Sequence, residues 1–365
     1  MESGDGTVTC LKNNKESDFR TMRQKHEALK ADCAFRLANL EEENKRIKKK
    51  ISELRHEHDG VVDALLPEKA NKKKNAEFAR DLTSFPLPDE ILKKLAAEPV
   101  RIVDVGAFEL EGQDDLYADL FARYPCEVFG FEPQNNAIIS KKVLKCQKTI
   151  LPLAIGDGER TRFYRTRYPA ASSTFKPNRH LLQKFLALPT MLEVEEECEI
   201  DTRRLDDIDE IKECDLLKVD VQGGELNVFA GAKEVCKKAS IIITEVEFAP
   251  IYERQPLFSD IDSFLRQQGF FLLNLCNLSY SSFRVSLFAD LRSRLMWADA
   301  VYVKDPGGLA KFTPKKILMA GLIAHMVLRD PSLTCLLLDL YDRRTESSFL
   351  SAYQASLHLM RRCYG

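Results

Sequence analysis

Asp215-Leu-Leu-Lys-Val-Asp-Val-Gln-Gly223 is an apolar run that ends in an acidic residue. Two earlier runs share this design, Arg101-Ile-Val-Asp-Val-Gly106 and Glu127-Val-Phe-Gly-Phe-Glu-Pro133. A carboxylate at the end of a buried strand costs free energy unless it faces a hydrogen-bond donor or a ligand. Open α/β sheets bind ligands outside the carboxyl ends of their strands. The three runs therefore predict one crevice for a small ligand that donates hydrogen bonds and carries positive charge.

The overall composition is that of an ordinary globular protein. The 365 residues are 44% apolar and 30% charged, and the net charge is −2. This balance gives no global attraction to nucleic acid or to a membrane, and we expect no nucleic-acid partner and no transmembrane segment. The longest apolar run, Ile317 to Leu328, is too short to span a bilayer and predicts a buried helix.

The ten cysteines are scattered along the chain, and no two have the Cys-x-x-Cys spacing of a zinc site. We therefore predict no metal. No signal peptide or lipidation motif is visible, which together with the unpaired cysteine pattern favours free thiols in a reducing cytoplasm.

The N-terminal part has the heptad pattern of a coiled coil. The seam positions from Cys33 to Leu65, apolar except for Asn44 and His58, alternate spacings of four and three, and Asn44 at an a position favours a parallel, in-register pair. We predict a homodimer through residues 33–65. The alternative is a single long helix that lies on its own globular domain.

From Val100 onward, predicted strands alternate with predicted helices, which is typical of a parallel sheet. The strands are expected at 101–106, 127–131, 149–155, 215–221, 240–247, 270–276 and 297–304. The helices are expected near 114–123, 134–145, 224–237 and 259–268. An irregular insertion over 158–208 lies between them, and long insertions beside a ligand crevice are usually functional.

The prolines of the C-terminal part mark helix starts. Thr313-Pro314 and Asp330-Pro331 each place a capping residue before a proline, and three helices fit near 314–328, 331–343 and 346–362. The predicted domains are a helix or coiled coil over 1–66, a linker with short helices over 67–99, an α/β domain over 100–305 and a helical extension over 306–365.

Two residues at the strand ends, Gly106 and Glu132, indicate what kind of ligand the crevice holds. Gly106 lets the backbone turn tightly against a ligand, but a dinucleotide fold would need a Gly-x-Gly-x-x-Gly run, and the next glycine is Gly112. A nicotinamide-dependent oxidoreductase is therefore disfavoured. Glu132 can accept two hydrogen bonds at once, which suits a ribose diol. Its alternative role is to cap a helix that begins at Gln134.

Several segments, taken in order, resemble the FkbM family of S-adenosylmethionine-dependent methyltransferases over roughly residues 100–305. They are Val103-Asp-Val-Gly-Ala107, Phe129-Gly-Phe-Glu-Pro133, Leu151-Pro-Leu-Ala-Ile-Gly-Asp-Gly-Glu159, Asp201-Thr-Arg-Arg-Leu-Asp-Asp-Ile208, Leu216 to Leu226, Ile243-Thr-Glu-Val-Glu-Phe248 and Gln255 to Leu265. The resemblance implies a Rossmann-like class I fold, a seven-stranded, mostly parallel sheet whose last strand is antiparallel. It implies S-adenosyl-L-methionine as the cofactor, and methylation of a sugar, glycan or other small hydroxylated acceptor at oxygen.

The resemblance also implies cofactor contacts at matching positions. Asp104, Val105, Gly106 and Ala107 would lie at the methionine end. Glu132, followed by Pro133, would take the ribose hydroxyls, and Ala154 and Ile155 would lie by the adenine. Asp220 and Gln222 would sit near the transferable methyl. Phe108-Glu-Leu-Glu111 departs from the family's usual small residue, which leaves open an interaction protein with a coiled coil and little or no turnover.

A hydroxyl acceptor needs a proton acceptor within hydrogen-bond reach. The candidates are Glu245, Asp220 and His180, with Glu247 beside Glu245 on one face of a strand. The pair of glutamates could bind a cation, share a proton or meet a lysine. Segments 168–177 and 252–255 are expected to frame the acceptor pocket. Their basic neighbours could recognise an anionic group or simply neutralise the acidic domain: Arg167, Lys176, Arg179 and Arg254.

Overall fold

A computed structural model describes residues 42, 45–46, 49–50, 87–95, 99–108, 116–134, 138–143, 146–285 and 294–364. The chain divides into two units, Met1–Glu77 and Phe78–Gly365. In the first unit the five described positions are helical. The rest of the predicted coiled coil over 33–65, including its heptad seam, lies outside the described residues.

The second unit is built on two sheets. In chain order the strands are β1 (Val100–Val105), β2 (Cys126–Phe131), β3 (Ile139–Val143), β4 (Cys146–Leu151), β5 (Ala154–Ile155), β6 (Arg160–Thr166), β7 (Val194–Arg203), β8 (Leu216–Val219), β9 (Ile241–Glu247), β10 (Phe270–Ser281) and β11 (Arg294–Lys304). The large sheet has the order β10-β11-β9-β8-β1-β2-β4-β3, and the small one has the order β5-β7-β6.

The large sheet is mostly parallel, as predicted. β11, its last strand in the chain, runs antiparallel between β9 and β10. In the described part of the chain the sheet has eight strands rather than the predicted seven. The additional strand is β3, which pairs antiparallel with β4 at the edge.

This edge strand corrects the helix predicted over 134–145. Ile139–Val143 instead forms one arm of a hairpin, in which Ile139 pairs with Ile150 and Val143 with Cys146. Without this hairpin β4 would end the sheet with a row of unpaired backbone groups. The pairing, which depends on a neighbouring strand, outweighs the local pattern.

The strand predicted over 149–155 is also interrupted. It leaves the large sheet after Leu151, and Ala154–Ile155 pairs with β7 in the small sheet. Pro152 stands at the break and cannot donate a backbone hydrogen bond, so the strand changes partners there. The insertion is thereby anchored beside the carboxyl ends of the large sheet.

The helices of the second unit cover both faces of the large sheet. They are α1 (Asp89–Leu95), α2 (Ala118–Arg123), α3 (Arg179–Leu182), α4 (Leu188–Met191), α5 (Glu225–Ala230), α6 (Lys233–Lys238), α7 (Phe258–Gln267), α8 (Pro306–Leu309), α9 (Pro314–Met326), α10 (Pro331–Thr345) and α11 (Phe349–Tyr364). The helix predicted over 224–237 is therefore two helices, separated at Gly231, where a Cβ would lie 2.2 Å from the Gly156 carbonyl oxygen.

The C-terminal helices pack on the sheet of the same chain. Residues Ile317–Met326 of α9 are buried, and they share a core with Val100, Ile102, Leu216 and Ile241. A helix that is apolar on all sides must be covered on all sides, and β1, β8, β9 and α10 contribute to that cover. Thr313 and Asp330 cap α9 and α10 as predicted. Within the described ranges, no helix combines the length and apolar character needed to cross a membrane.

Candidate active site

A cavity of about 600 Å³ opens at the carboxyl ends of β1, β2 and β8. This volume is in the range of small-molecule sites. Predicted cofactor contacts from four separate stretches of chain meet in its wall: Val105, Gly106, Glu132, Pro133, Ala154, Ile155, Asp220 and Gln222. The remaining two, Asp104 and Ala107, are buried beside it and do not line it.

Gly106 allows the ends of β1 and β8 to approach each other closely. Its φ is +80°, and a Cβ at this position would lie 1.8 Å from the carbonyl oxygen of Asp220. The Gly106 N–H donates to the Phe131 oxygen at 2.9 Å, and the Asp220 N–H donates to the Val105 oxygen at 2.9 Å. Glycine is therefore required here because the backbone of the neighbouring strand end occupies the space of a side chain.

Asp104 is held by two partners that the sequence reasoning missed. Tyr117 donates its hydroxyl to Asp104 Oδ2 at 2.9 Å, and Lys218 Nζ lies 3.0 Å from Asp104 Oδ1. Desolvation lowers the pKa of Lys218, but the charges of Asp104 and Asp220 outweigh it and raise the pKa above its usual value. Strand register could have revealed the pair, since Asp104 and Lys218 are neighbours across β1 and β8.

Glu132 is buried at the end of β2 with its carboxylate at the cavity wall. Its Oε1 accepts the N–H of Gln134 at 2.8 Å, and the described residues on either side, a turn at 133–134 and β3 from Ile139, form no helix for Glu132 to cap. Burial raises its pKa, the contacts with Gln134 lower it, and the charges of Asp220 and Asp104 raise it. Two of the three acidic strand ends, Glu132 and Asp220, therefore line one cavity, whereas Asp104 lies behind its wall and is paired with Lys218.

The carboxylate of Asp220 is linked to that of Glu245 through Gln222. Gln222 Nε2 donates to Asp220 Oδ1 at 2.8 Å and to Glu245 Oε2 at 2.6 Å. Gln222 has a positive φ of 59°, which is unusual for a residue with a side chain. Asp220 and Gln222 line the cavity, and Glu245 lies behind Gln222.

Glu225, at the start of α5, completes an acidic cluster that the sequence reasoning did not include. Its Oε1 accepts the N–H groups of Val221 and Gly223 at 2.9 and 3.2 Å. Burial raises the pKa of Glu225 to about 7. The pKa values of Glu245 and Glu247 are raised well above the usual range, first by burial and then by neighbouring carboxylates. Only the tertiary fold brings α5 to the end of β9.

The insertion covers one side of the cavity. Ala170, Ser172 and Thr174 belong to the lining, as do Phe163 of β6 and Ile200 of β7. The Ser173 hydroxyl donates to the Gln222 carbonyl oxygen at 2.6 Å, which ties the insertion to the loop after β8.

Tyr252 ties the second predicted segment to the same place. Its hydroxyl donates to the Ala171 oxygen at 2.9 Å and contacts Gln222 Oε1 at 3.3 Å. Residues 168–177 and 252–255 therefore meet beside the cavity.

The structure does not bring His180 or the predicted anion-recognising arginine Arg167 to the cavity. His180 is exposed on α3, away from the lining residues. Arg167 forms surface ion pairs with Glu193 at 2.7 Å and Glu195 at 3.2 Å. Arg167 therefore agrees with the alternative hypothesis, in which basic side chains neutralise the acidic domain. Lys176, Arg179 and Arg254 are likewise exposed and absent from the lining.

Residues 104–272 match the family model described as Methyltransferase FkbM domain. The match confirms the predicted methyltransferase domain over that range, and with it the predicted cofactor, S-adenosylmethionine. The coiled-coil segment and the C-terminal helices lie outside it.

The chain was also compared with curated proteins and solved structures. No curated protein matches it. Among solved structures, a magnesium protoporphyrin IX methyltransferase from Synechocystis PCC 6803 with bound S-adenosylmethionine is 11% identical. The alignment covers 65% of this chain and 83% of that one, with a TM-score of 0.26. At this TM-score the likeness supports no conclusion about this chain.

Proposed function

We propose that this methyltransferase domain binds S-adenosylmethionine in the cavity at the ends of β1, β2 and β8 and methylates a hydroxyl group of a small acceptor. A sugar, a glycan or another hydroxylated metabolite is the expected substrate class. One observation carries the proposal: eight residues chosen from sequence as cofactor contacts line a single cavity of suitable volume.

The residues present fit this cofactor. Glu132 would hold the ribose hydroxyls with its buried carboxylate, and Ala154 and Ile155 would flank the adenine. Val105 and Gly106 line the part of the cavity where the methionine end of the cofactor would bind. When bound, S-adenosylmethionine supplies a methyl group on a positively charged sulfur. The carboxylates of Glu132 and Asp220 favour a cation in this cavity by charge.

The protein's own residues would align the acceptor and take up the proton of its hydroxyl group. Methyl transfer needs the acceptor oxygen in line with the methyl and water kept out. The insertion residues Ser172 and Thr174 form the wall that would exclude water. Asp220 faces the cavity and is the carboxylate best placed to orient the acceptor hydroxyl and take its proton. Glu245, through Gln222, would fix the position of Asp220.

Calorimetric titration of the full chain with S-adenosylmethionine and S-adenosylhomocysteine tests the cofactor proposal. We expect saturable binding that is roughly 10- to 100-fold weaker in Glu132→Gln, because a charged hydrogen-bond acceptor is lost. Glu210→Gln, an exposed control outside the cavity, should bind like the wild type. A folded wild-type chain that binds neither compound would overturn the proposal.

Turnover is tested separately with a panel of sugars and cell extracts and a radioactive methyl donor. We expect product with the wild type and at least a hundredfold less with Asp220→Asn. Binding without product from any acceptor would favour the interaction protein over the enzyme.

We further propose that residues 33–65 form a parallel homodimeric coiled coil and that the protein acts in the cytoplasm with free thiols. The heptad pattern and Asn44 support the dimer. Sedimentation equilibrium of the full chain should give twice the 41.6 kDa chain mass. Replacing Ile47 and Leu54 together by glutamate should give the monomer mass. A wild-type chain that sediments as a monomer would contradict the dimer.

A further inference from the structure

Three carboxylates meet where β8, β9 and α5 come together. Asp220, Glu225 and Glu245 each place one oxygen so that the three atoms lie within 4.8 Å of one another. Like charges this close repel strongly in a desolvated setting. A cluster of this kind needs protons, donors or a cation to be stable.

A second observation is the set of buried oxygens that lack a donor. Glu247 is fully buried, and neither of its carboxylate oxygens accepts a hydrogen bond. Glu225 is also fully buried, and its Oε2 has no partner. Buried polar atoms in native proteins are almost always satisfied, so unpartnered oxygens of this kind need an explanation.

Glu247 lies beside the cluster. After burial itself, the charges of Glu225 and Asp220 are the largest influences on its pKa. The side chain of Gln255 is close enough to lower the pKa of Glu247, but its Nε2 makes no hydrogen bond of acceptable geometry. Two fully buried carboxylates, Glu225 and Glu247, therefore lie beside two half-buried ones, Asp220 and Glu245.

No described basic side chain forms an ion pair with any of these four carboxylates. Lys218, which lies at the same end of β8, is paired with Asp104 at 3.0 Å. The donors present are the Gln222 amide, which bonds Asp220 and Glu245, and two backbone N–H groups, which bond Glu225 Oε1. They leave Glu225 Oε2 and both oxygens of Glu247 unmatched.

We propose that Asp220, Glu225 and Glu245 bind one hard divalent cation, of the Mg²⁺, Mn²⁺ or Ca²⁺ class. The charge of this cation would also neutralise the nearby carboxylate of Glu247. The available ligands are all oxygens, without histidine or cysteine, and oxygen ligands suit these ions rather than zinc or copper. A site of this kind has no sequence signature comparable with paired cysteines, which explains why the sequence predicted no metal.

The cation would border the cavity, because Asp220 and Gln222 line it. If the proposed function holds, a hydroxyl oxygen of the acceptor could complete the cation's coordination. A bound cation makes such a hydroxyl more acidic and orients it. The inferred substrate class is then an acceptor with oxygen groups able to bind a divalent cation.

The test is a titration of the full chain with Mn²⁺ alone, after treatment with chelator and dialysis, followed by electron paramagnetic resonance of the free ion. We expect one saturable site that Mg²⁺ or Ca²⁺ can compete for. Glu225→Gln keeps an oxygen for the Val221 and Gly223 N–H groups and should weaken Mn²⁺ binding by about tenfold or more. The control Glu210→Gln, at an exposed position outside the cavity and the carboxylate cluster, should bind Mn²⁺ like the wild type.

Circular dichroism checks that each variant is folded, and Glu245→Gln serves the same comparison if Glu225→Gln is not. The proposal is overturned if the folded wild type shows no saturable Mn²⁺ binding, or if both variants bind as tightly as the wild type. In that case the carboxylates share protons instead. Titrating the same protein with S-adenosylhomocysteine separates the two ideas, since cofactor binding without Mn²⁺ binding rejects only the cation site, and the reverse rejects only the proposed function.

Discussion

Replacing Gly106 by alanine tests whether the close approach of β1 and β8 builds the cavity. The new Cβ would lie 1.8 Å from the Asp220 carbonyl oxygen, whereas real Cβ atoms stay beyond 3.0 Å. The two strand ends would have to separate by roughly 1 Å. That movement would break the 2.9 Å hydrogen bond from the Asp220 N–H to the Val105 oxygen.

The expected cost has two parts. Alanine at a φ of +80° costs about 1–2 kcal/mol. Loss of the backbone hydrogen bond adds about 1 kcal/mol. Gly106→Ala should therefore lower the free energy of unfolding by about 2–3 kcal/mol, and it should abolish S-adenosylmethionine binding because the cavity wall moves.

Gly269→Ala is the matched control. Gly269 has a similar φ of +78°, but its Cβ would meet only a side-chain oxygen of Asp305, at 3.3 Å. This variant should lose only the conformational part, about 1–2 kcal/mol of stability, and keep cofactor binding. Urea unfolding and calorimetric titration measure both quantities. Equal destabilisation by the two variants, with cofactor binding retained in Gly106→Ala, would refute the reasoning.

Three further outcomes follow from the site. Burial raises the pKa of Glu132, and only its ionised form accepts hydrogen bonds from both ribose hydroxyls. Wild-type cofactor affinity, measured by calorimetry, should therefore fall as the pH is lowered toward 5, whereas the affinity of Glu132→Gln should not change with pH. A wild-type affinity that is independent of pH would contradict this role. Lys218→Met removes the cation paired with the buried Asp104 and should cost about 3 kcal/mol in urea unfolding, against about 1 kcal/mol for Tyr117→Phe; equal losses would argue against the ion pair. His180→Ala, at an exposed position away from the cavity, should change cofactor affinity and turnover less than twofold, and a large loss of turnover would restore His180 as a catalytic candidate.

Much of the α/β architecture could be read from local patterns. β1, β2, β8 and β9 are short apolar runs, and each lies where the alternation of strands and helices predicted it. Buried strands need apolar side chains over a few consecutive residues, so the pattern is visible without the fold. The caps at Thr313 and Asp330 were equally local, since a cap depends on residues three apart.

The errors came where the partner of a strand decided the structure. Residues 139–143 became a strand because β4 offered an edge, and the strand predicted over 149–155 changed sheets at Pro152. Neither partner can be identified from periodicity. Lys218 was missed for a related reason, because its importance depends on the register between β1 and β8.

The sequence alone determined which strand ends carry acidic residues and where Gly106 must turn the chain, because both are properties of single short segments. Only the tertiary structure decided which of those residues share a cavity, and it left His180 outside. It also brought Glu225 of α5 to Asp220 and Glu245. Charge interactions between groups far apart in the chain depend on distances of a few ångströms, and these exist only once the sheet and its helices have packed.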